Sequence, residues 1–253
     1  MASSLPILTF HTLDDRGSVI SFPPGLFRRG LARLREHGYR TVSLLEAVAC
    51  LREGSPFPER SVVITFDDGS RSVYDEAFTV LQQYEMSATI FLTVGGRGPG
   101  GQSDRRPSPQ GGSMLGWQEI RDLQVCGMEF GAHTLTHPDL TRLPAERIEE
   151  EVCNSKAIIE DALGTPVTCF AYPYGRYDAR SYAIVRKHFV AACSDRLGLV
   201  TVKSDPHALE RVDAYYLRSD WLFGLMLTRW FPRYVRMRSV PRRVRRAVYW
   251  RPG

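Results

Sequence analysis

Short apolar runs alternate with amphipathic stretches along the whole chain. "LPILTFH" (Leu5–His11), "YRTVSL", "SVVITF" (Ser61–Phe66), "SATIFLTV", "MEFGAH", "TCFAYP" and "FVAACS" read as strands. "SVVITF" is apolar almost throughout, as expected of a strand buried on both faces. The intervening segments carry the helical period. "PGLFRRGLARLREHG" sets Leu26, Leu31 and Leu34 roughly on one face and stops at Gly38. Ser43 and Glu46 form a capping-box pattern that opens "LLEAVACLREG". "YDEAFTVLQQY", "WQEIRDLQVCG", "PAERIEEEVCNSKAIIEDALG" and "DARSYAIVRKH" continue the series. Strand–helix alternation predicts a parallel α/β architecture. With about seven strands, a barrel is favoured over an open doubly wound sheet.

Two segments break the alternation. Gly95–Ser113, "GGRGPGGQSDRRPSPQGGS", is rich in Gly, Pro, Ser and Arg and reads as a mobile loop. From Trp221 to Gly253 there are nine arginines and no Asp, Glu or Lys, interleaved with Trp, Phe and Leu. The net charge of +5 therefore belongs to this tail, and the first 220 residues carry about −4. The expected organisation is one domain over residues 1–220 and a basic aromatic tail over 221–253. The tail reads as a helix covering the domain, or as a surface for anionic lipid. No nucleic-acid motif accompanies its charge, so no nucleic-acid partner is expected.

With 43% hydrophobic and 24% charged residues, the composition is that of a globular protein. No run approaches the ~18–20 apolar residues of a membrane span. "MASSLPILTF" lacks a basic region ahead of its apolar run, which reads as a strand rather than a signal peptide. Cys50, Cys126, Cys153, Cys169 and Cys193 are scattered, odd in number and form no CxxC pair. They are expected to be reduced thiols in a cytoplasmic protein, peripheral at the inner membrane face if the tail binds lipid.

Chemistry collects where strands end, the edge at which sites form in parallel α/β folds. Asp67 and Asp68 follow "VITF", His133 and His137 bracket "HTLTH", "YPYG" follows "TCFA", and His11 follows "ILTF". Two histidines four apart suit one metal if the segment is helical or turns tightly, with Asp67 or Asp68 as a third donor. Such a set marks a hydrolytic zinc site or a non-haem iron site. The long gap between carboxylate and histidines disfavours iron. Adjacent acids at a strand end point to opposite sides. One can bind the metal while the other takes the proton of a water whose pKa the metal has lowered towards ~7.

"TFDDG", "HTLTH" and "FAYPYG", in this order, resemble the polysaccharide deacetylase family, carbohydrate esterase family 4, with its NodB homology domain. "MLGWQEIRDL" and "YPYGRYD" add to the likeness, which spans roughly Leu5 to Ser219. The resemblance implies a distorted (β/α)7 barrel and a metal-dependent hydrolase that removes N-acetyl or N-formyl groups from an amino sugar. It implies Asp67 as general base, Asp68, His133 and His137 as ligands of a divalent metal, zinc expected, and the Tyr174 N–H as oxyanion donor. Tyr172, Pro173 and Trp117 are expected at the substrate. Many members carry Arg where this chain has Ala171, and Arg211 in "LERVD" is the expected replacement. Many also end in a Leu-x-His strand. Here the last histidine, His207, reads as a loop residue, whereas "ILTFH" matches relatives, notably the poly-N-acetylglucosamine deacetylases, that resemble circular permutations. His11 is therefore the expected general acid. The competing readings are a hydrolase of a small non-sugar amide and a non-catalytic carbohydrate-binding relative.

Overall fold

The computed structural model describes residues 2–95 and 113–249, the side chains of 241–249 excepted. Seven parallel strands follow one another in chain order around a closed barrel. They are β1 (Ile7–Phe10), β2 (Ser61–Phe66), β3 (Thr89–Leu92), β4 (Glu129–Ala132), β5 (Cys169–Ala171), β6 (Ala191–Leu197) and β7 (Leu209–Asp213). β1 closes the ring, pairing with β7 through Leu8–Val212 and with β2 from Ile7–Val63 to Phe10–Phe66. The strands are short, and the β6–β7 register slips between Cys193 and Leu197, so the barrel is distorted.

The ring has seven members, as expected, but not the expected seven. "YRTVSL" forms only Arg40–Thr41, a two-residue strand beside Ser61–Val62 and outside the ring. The ring takes "LERVD" instead. Three of its five residues are charged, so no apolar pattern advertises it. Arg211 and Asp213 face the site described below, whereas Glu210 points away and lies 3.7 Å from Arg196.

The helices among the described residues are α1 (Pro24–Glu36), α2 (Leu44–Glu53), α3 (Phe78–Gln83), α4 (Trp117–Val125), α5 (Ala145–Leu163), α6 (Ala179–His188), α7 (Asp220–Gly224) and α8 (Phe231–Tyr249). The capping box at α2 is present in both directions, Glu46 N–H to Ser43 Oγ at 3.0 Å and Ser43 N–H to Glu46 Oε2 at 2.8 Å. α5 ends at Gly164, whose φ of 65° is left-handed and favours glycine. α3 opens with a π-helical turn, Val73–Ala77.

Strand alternation sorts the apolar side chains into two bodies. Ile7, Val63, Phe91, Cys169, Cys193 and Leu209 fill the barrel, and Leu44, Ala47 and Val48 of α2 join them as a plug. Leu8, Phe10, Ile64, Phe66, Ile90 and Phe170 face outward to the helices. The period of two continues to the strand ends. His11 is in register with Ile7, Asp67 with Val63, and Arg211 with Leu209, so all three point inward.

Of the segment expected as a tail, residues 221–239 fold against the barrel layer. Phe223, Phe231 and Val235 are buried. Phe223 lies on Gly30, where an added Cβ would stand 2.5 Å from its ring. The Gly95–Ser113 stretch, apart from its two ends, lies outside the described residues.

Candidate active site

The inward-facing positions at the C-terminal rim open into a cavity of about 360 Å³. His11, Asp67, Asp68, His133, His137 and Arg211 all line it. Three non-glycine residues that place groups there from loops have a left-handed backbone. Asp68 has φ 71°, His137 φ 62° and Tyr174 φ 56°. Non-glycine residues rarely adopt this conformation, and it concentrates where geometry serves a site.

At the end of β2, the Gly69 N–H donates to the Asp67 carbonyl at 2.9 Å, closing a γ-turn around Asp68. This turn brings the second acid back over the rim. The two acids therefore do not simply alternate as consecutive strand residues do; both reach the one cavity. "HTLTH" is not helical. Thr134 at φ 69° and His137 at φ 62° fold it tightly, and the His137 N–H donates to Thr134 Oγ1 at 3.0 Å. From α5, the buried Glu151 grips this loop, accepting from Thr136 N–H at 2.8 Å and Thr136 Oγ1–H at 2.7 Å. Nothing in the sequence separates Glu151 from its neighbouring surface glutamates.

The three expected ligands converge. His133 Nε2 and His137 Nε2 lie 3.4 and 3.3 Å from Asp68 Oδ1. Those separations exceed an ordinary N–H···O bond. Donors about 2.0–2.1 Å from a tetrahedral ion stand about 3.3–3.4 Å apart, so the set fits a divalent cation. His133 Nδ1 donates to the Ala171 carbonyl at 2.7 Å, which orients the ring and turns Nε2 to the cavity. Burial, then the adjacent His133, push the His137 imidazole down to about 4, so it is neutral and its lone pair is available at neutral pH. Burial raises the Asp68 carboxyl, but the histidines outweigh it and hold it below the usual range.

Asp67 makes a separate arrangement. Arg211 donates from Nη1 to Oδ1 at 2.8 Å and from Nη2 to Oδ2 at 2.7 Å, with both residues buried. Burial pushes the Asp67 carboxyl up, but Arg211 first and His133 next hold it well below the carboxylate range. Arg211 is itself fixed, its Nε donating at 3.0 Å to the Ser194 carbonyl where the β6–β7 register slips. Ala171, on β5, leaves the barrel interior free for this side chain arriving from β7. On the other side of Asp67, His11 Nε2 lies 3.9 Å from Oδ2.

Tyr174 stands at the rim with its ring exposed and 4.7 Å from that of His137. Gly175 N–H and Arg176 N–H turn back to Tyr172 and Pro173 carbonyls, while among the described residues the Tyr174 N–H has no acceptor. The neighbouring Gly175 must be glycine, since a Cβ there would lie 2.1 Å from Asp195 Cβ. The expected substrate contacts of Tyr172, Pro173 and Trp117 do not match their positions, for none lines the cavity. Tyr172 is fully buried on the outward face of β5, its hydroxyl on the His207 carbonyl at 3.1 Å. Trp117 opens α4 within the outer core. His207 is also buried away from the cavity, its Nε2 3.1 Å from the Phe189 carbonyl. Burial pushes the thiols of Cys169 and Cys193 up to about 12, which leaves them inert.

Sequence reasoning missed Asp195, Asp213, Tyr215 and Tyr216, which also line the cavity. The only signal was the presence of polar residues after the late strands.

By fold the chain falls in the class of β/α barrels whose chemistry sits at the C-terminal rim. Residues 54–192 match the sequence profile of the Polysaccharide deacetylase family, more than half of the chain, and the chain belongs to that family. It is 28% identical over 223 residues to the YxkH protein of Bacillus subtilis (strain 168), covering 88% of this chain and 75% of that protein. It is 24% identical over 214 residues to the poly-beta-1,6-N-acetyl-D-glucosamine N-deacetylase of Staphylococcus aureus (strain MRSA252), covering 81% of this chain and 70% of that enzyme. The deacetylase PplD of Streptococcus pyogenes, solved with acetate, shares the fold with a TM-score of 0.75 at 23% identity, over 84% of this chain and 93% of that one.

Proposed function

We propose that this polysaccharide deacetylase family member is a metal-dependent hydrolase that removes N-acetyl groups from an amino sugar in a polysaccharide or glycolipid. β-1,6-linked N-acetylglucosamine is the first polymer to test, given the similarity to the staphylococcal enzyme. The reading rests above all on one observation. A cation-sized set of Asp68, His133 and His137 shares its cavity with a second, separately clamped carboxylate.

Asp68, His133 and His137 would hold the metal, with zinc the best match to the donor set and spacing. When bound, a divalent cation polarises the acyl carbonyl and makes water acidic enough for a weak base to deprotonate. Asp67, kept ionised by Arg211, takes the proton of the attacking water. The Tyr174 N–H meets the oxyanion as the carbonyl carbon becomes tetrahedral, a contact worth on the order of 3 kcal/mol of barrier. His11, on the far side of Asp67, protonates the departing amine. The exposed rings of Tyr174 and Tyr215 at the mouth offer faces for sugar rings.

Among the described residues no helix is long and apolar enough to cross a membrane. All five cysteines are free, which suits a reducing, cytoplasmic setting. The arginine-rich face of α8 is proposed to rest on anionic lipid.

The test is acid release from a panel of N-acetylated and N-formylated glucosamine oligomers, with small cyclic amides beside them. Chelation should abolish release and zinc should restore it. Release that persists in the metal-free protein, or that occurs only from the small amides, sinks the reading.

A further inference from the structure

Side chains able to hold a metal form groups of three twice among the described residues. One is the rim set. The other is Glu149, Cys153 and His188, on the outside of the molecule where α5 and α6 meet. We propose that this group is a second zinc site, bridging the two helices and separate from the catalytic cavity.

Glu149 and Cys153 are one turn apart on α5 and so share a face. His188 is the last residue of α6. Its Nε2 lies 3.3 Å from Cys153 Sγ and 2.7 Å from Glu149 Oε1, and Sγ lies 3.8 Å from the same oxygen. Around a tetrahedral zinc, sulfur and nitrogen or oxygen donors stand about 3.3–3.6 Å apart. The imidazole–carboxylate pair must widen by about 0.6 Å, as the metal replaces the proton it shares, and the thiol–carboxylate pair must close by about 0.2 Å. Thiolate, imidazole and carboxylate together suit zinc, whereas magnesium and calcium prefer oxygen donors alone.

The frame around the group is preset. Lys156 of α5 donates to the His188 carbonyl at 2.9 Å and to the Val167 carbonyl at 2.8 Å, pinning the end of α6 to α5. A cation there also lies at the C-terminal, negative end of the α6 dipole. One competitor is present: Lys187 Nζ sits 3.0 Å from Glu149 Oε1. That lysine is mostly exposed, and such surface pairs are weak enough to yield to a divalent ion. Burial first, and then Glu149, raise the Cys153 thiol above its usual value, so without metal it stays protonated and binding zinc releases its proton.

Cobalt(II) makes the two sites distinguishable. The rim set has only nitrogen and oxygen donors, so near-ultraviolet thiolate-to-cobalt absorption reports the Cys153 group. The full chain, stripped of metal and kept reduced, is titrated with cobalt(II) and then zinc. Wild type and His137→Ala should show the band. Cys153→Ser and His188→Gln should lack it, with circular dichroism unchanged and deacetylation intact. The wild type should hold two zinc equivalents, and Cys153→Ser or His137→Ala one each. Lys187→Ala should bind the second equivalent more tightly. The loss in Cys153→Ser should exceed the roughly 10–100-fold typical when a ligand loses only an outer hydrogen-bond partner. A wild type without the band, or a band that survives Cys153→Ser or His188→Gln, overturns the site.

Discussion

Arg211 on β7 closes on Asp67 at the end of β2 through two parallel hydrogen bonds of 2.8 and 2.7 Å, across the interior of the barrel. A guanidinium held this way fixes both the orientation of the carboxylate and its charge. Ala171, where the family resemblance led to an expectation of arginine, lies on β5 and faces the same interior. The cation on this carboxylate comes from β7 and not from that position.

That relationship predicts an exchange. Arg211→Ala should lower kcat strongly and destabilise the fold by about 3–5 kcal/mol, because it strands a buried carboxylate. Adding Ala171→Arg should restore part of both, since the removed side chain vacates the space the new one needs. Denaturant unfolding and acetate release measure the two effects. If the double variant is no better than Arg211→Ala, the two positions are not interchangeable sources of the clamp.

Asp67→Asn should keep the metal and lose about 10²–10⁴-fold in rate, the range for removing a general base. It also leaves Arg211 without its partner, so stability should fall as well, with a defined pH dependence. Asp67 is depressed in the folded state. Its stabilisation is therefore full above the unfolded carboxylate pKa of ~3.9 and drains away as pH falls below that towards the folded value. In urea unfolding of the metal-free proteins, the gap between wild type and Asp67→Asn should narrow from about pH 6 to about pH 3. A gap that is flat across this range contradicts the ion-pair account, and near-normal turnover contradicts the base.

His11 can be separated from Asp67 by what it leaves intact. His11→Ala should retain zinc and substrate affinity while kcat drops, because the departing amine loses its proton donor. The alkaline limb of the kcat/KM profile, set by a group that must be protonated, should move or vanish. Substrates with better leaving amines should suffer less. An equal loss on all substrates with an unchanged pH profile would make His11 a neighbour of Asp67 and nothing more.

The sequence disclosed the parts of the site that coincide with strong local patterns. Asp67, Asp68, His133 and His137 each follow a recognisable apolar strand, so their rim position was legible before any coordinates. β7 was not, because "LERVD" gives two of its three inward positions to Arg211 and Asp213 and looks like a loop. The same burial of charge that makes it useful erases the alternation by which strands are read. Tyr172 misled in the opposite way. It sits inside the "FAYPYG" motif, yet one residue of register turns it to the outer core, and only the reversal at Tyr174 returns the chain to the cavity. Glu151 was invisible because a buried glutamate and a solvated one look alike in a run of three.

The tail offers the last test. α8 buries Phe231 and Val235 and leaves Met237 and Val240 exposed among Arg233, Arg236 and Arg238, with Arg229 and Trp230 exposed in the turn just before it. Arg229 and Arg233 flank the Trp230 ring at 5.4 and 4.9 Å. This surface adjoins the cavity, for Arg238 lies over the ring of Tyr216, a cavity residue, at 5.5 Å. A membrane under α8 would therefore bring a lipid-linked sugar to the mouth of the site. Each arginine near an anionic surface contributes on the order of 1 kcal/mol. Replacing Arg229, Arg233 and Arg236 with alanine should then cost about 3 kcal/mol, roughly a hundredfold in partitioning onto anionic vesicles. Turnover of a soluble oligomer should be unchanged, since none of the three lines the cavity. Sedimentation with anionic and zwitterionic vesicles measures the effect. Equal partitioning onto both, or none onto either, would leave α8 as a helix that covers the barrel and carries its charge in water.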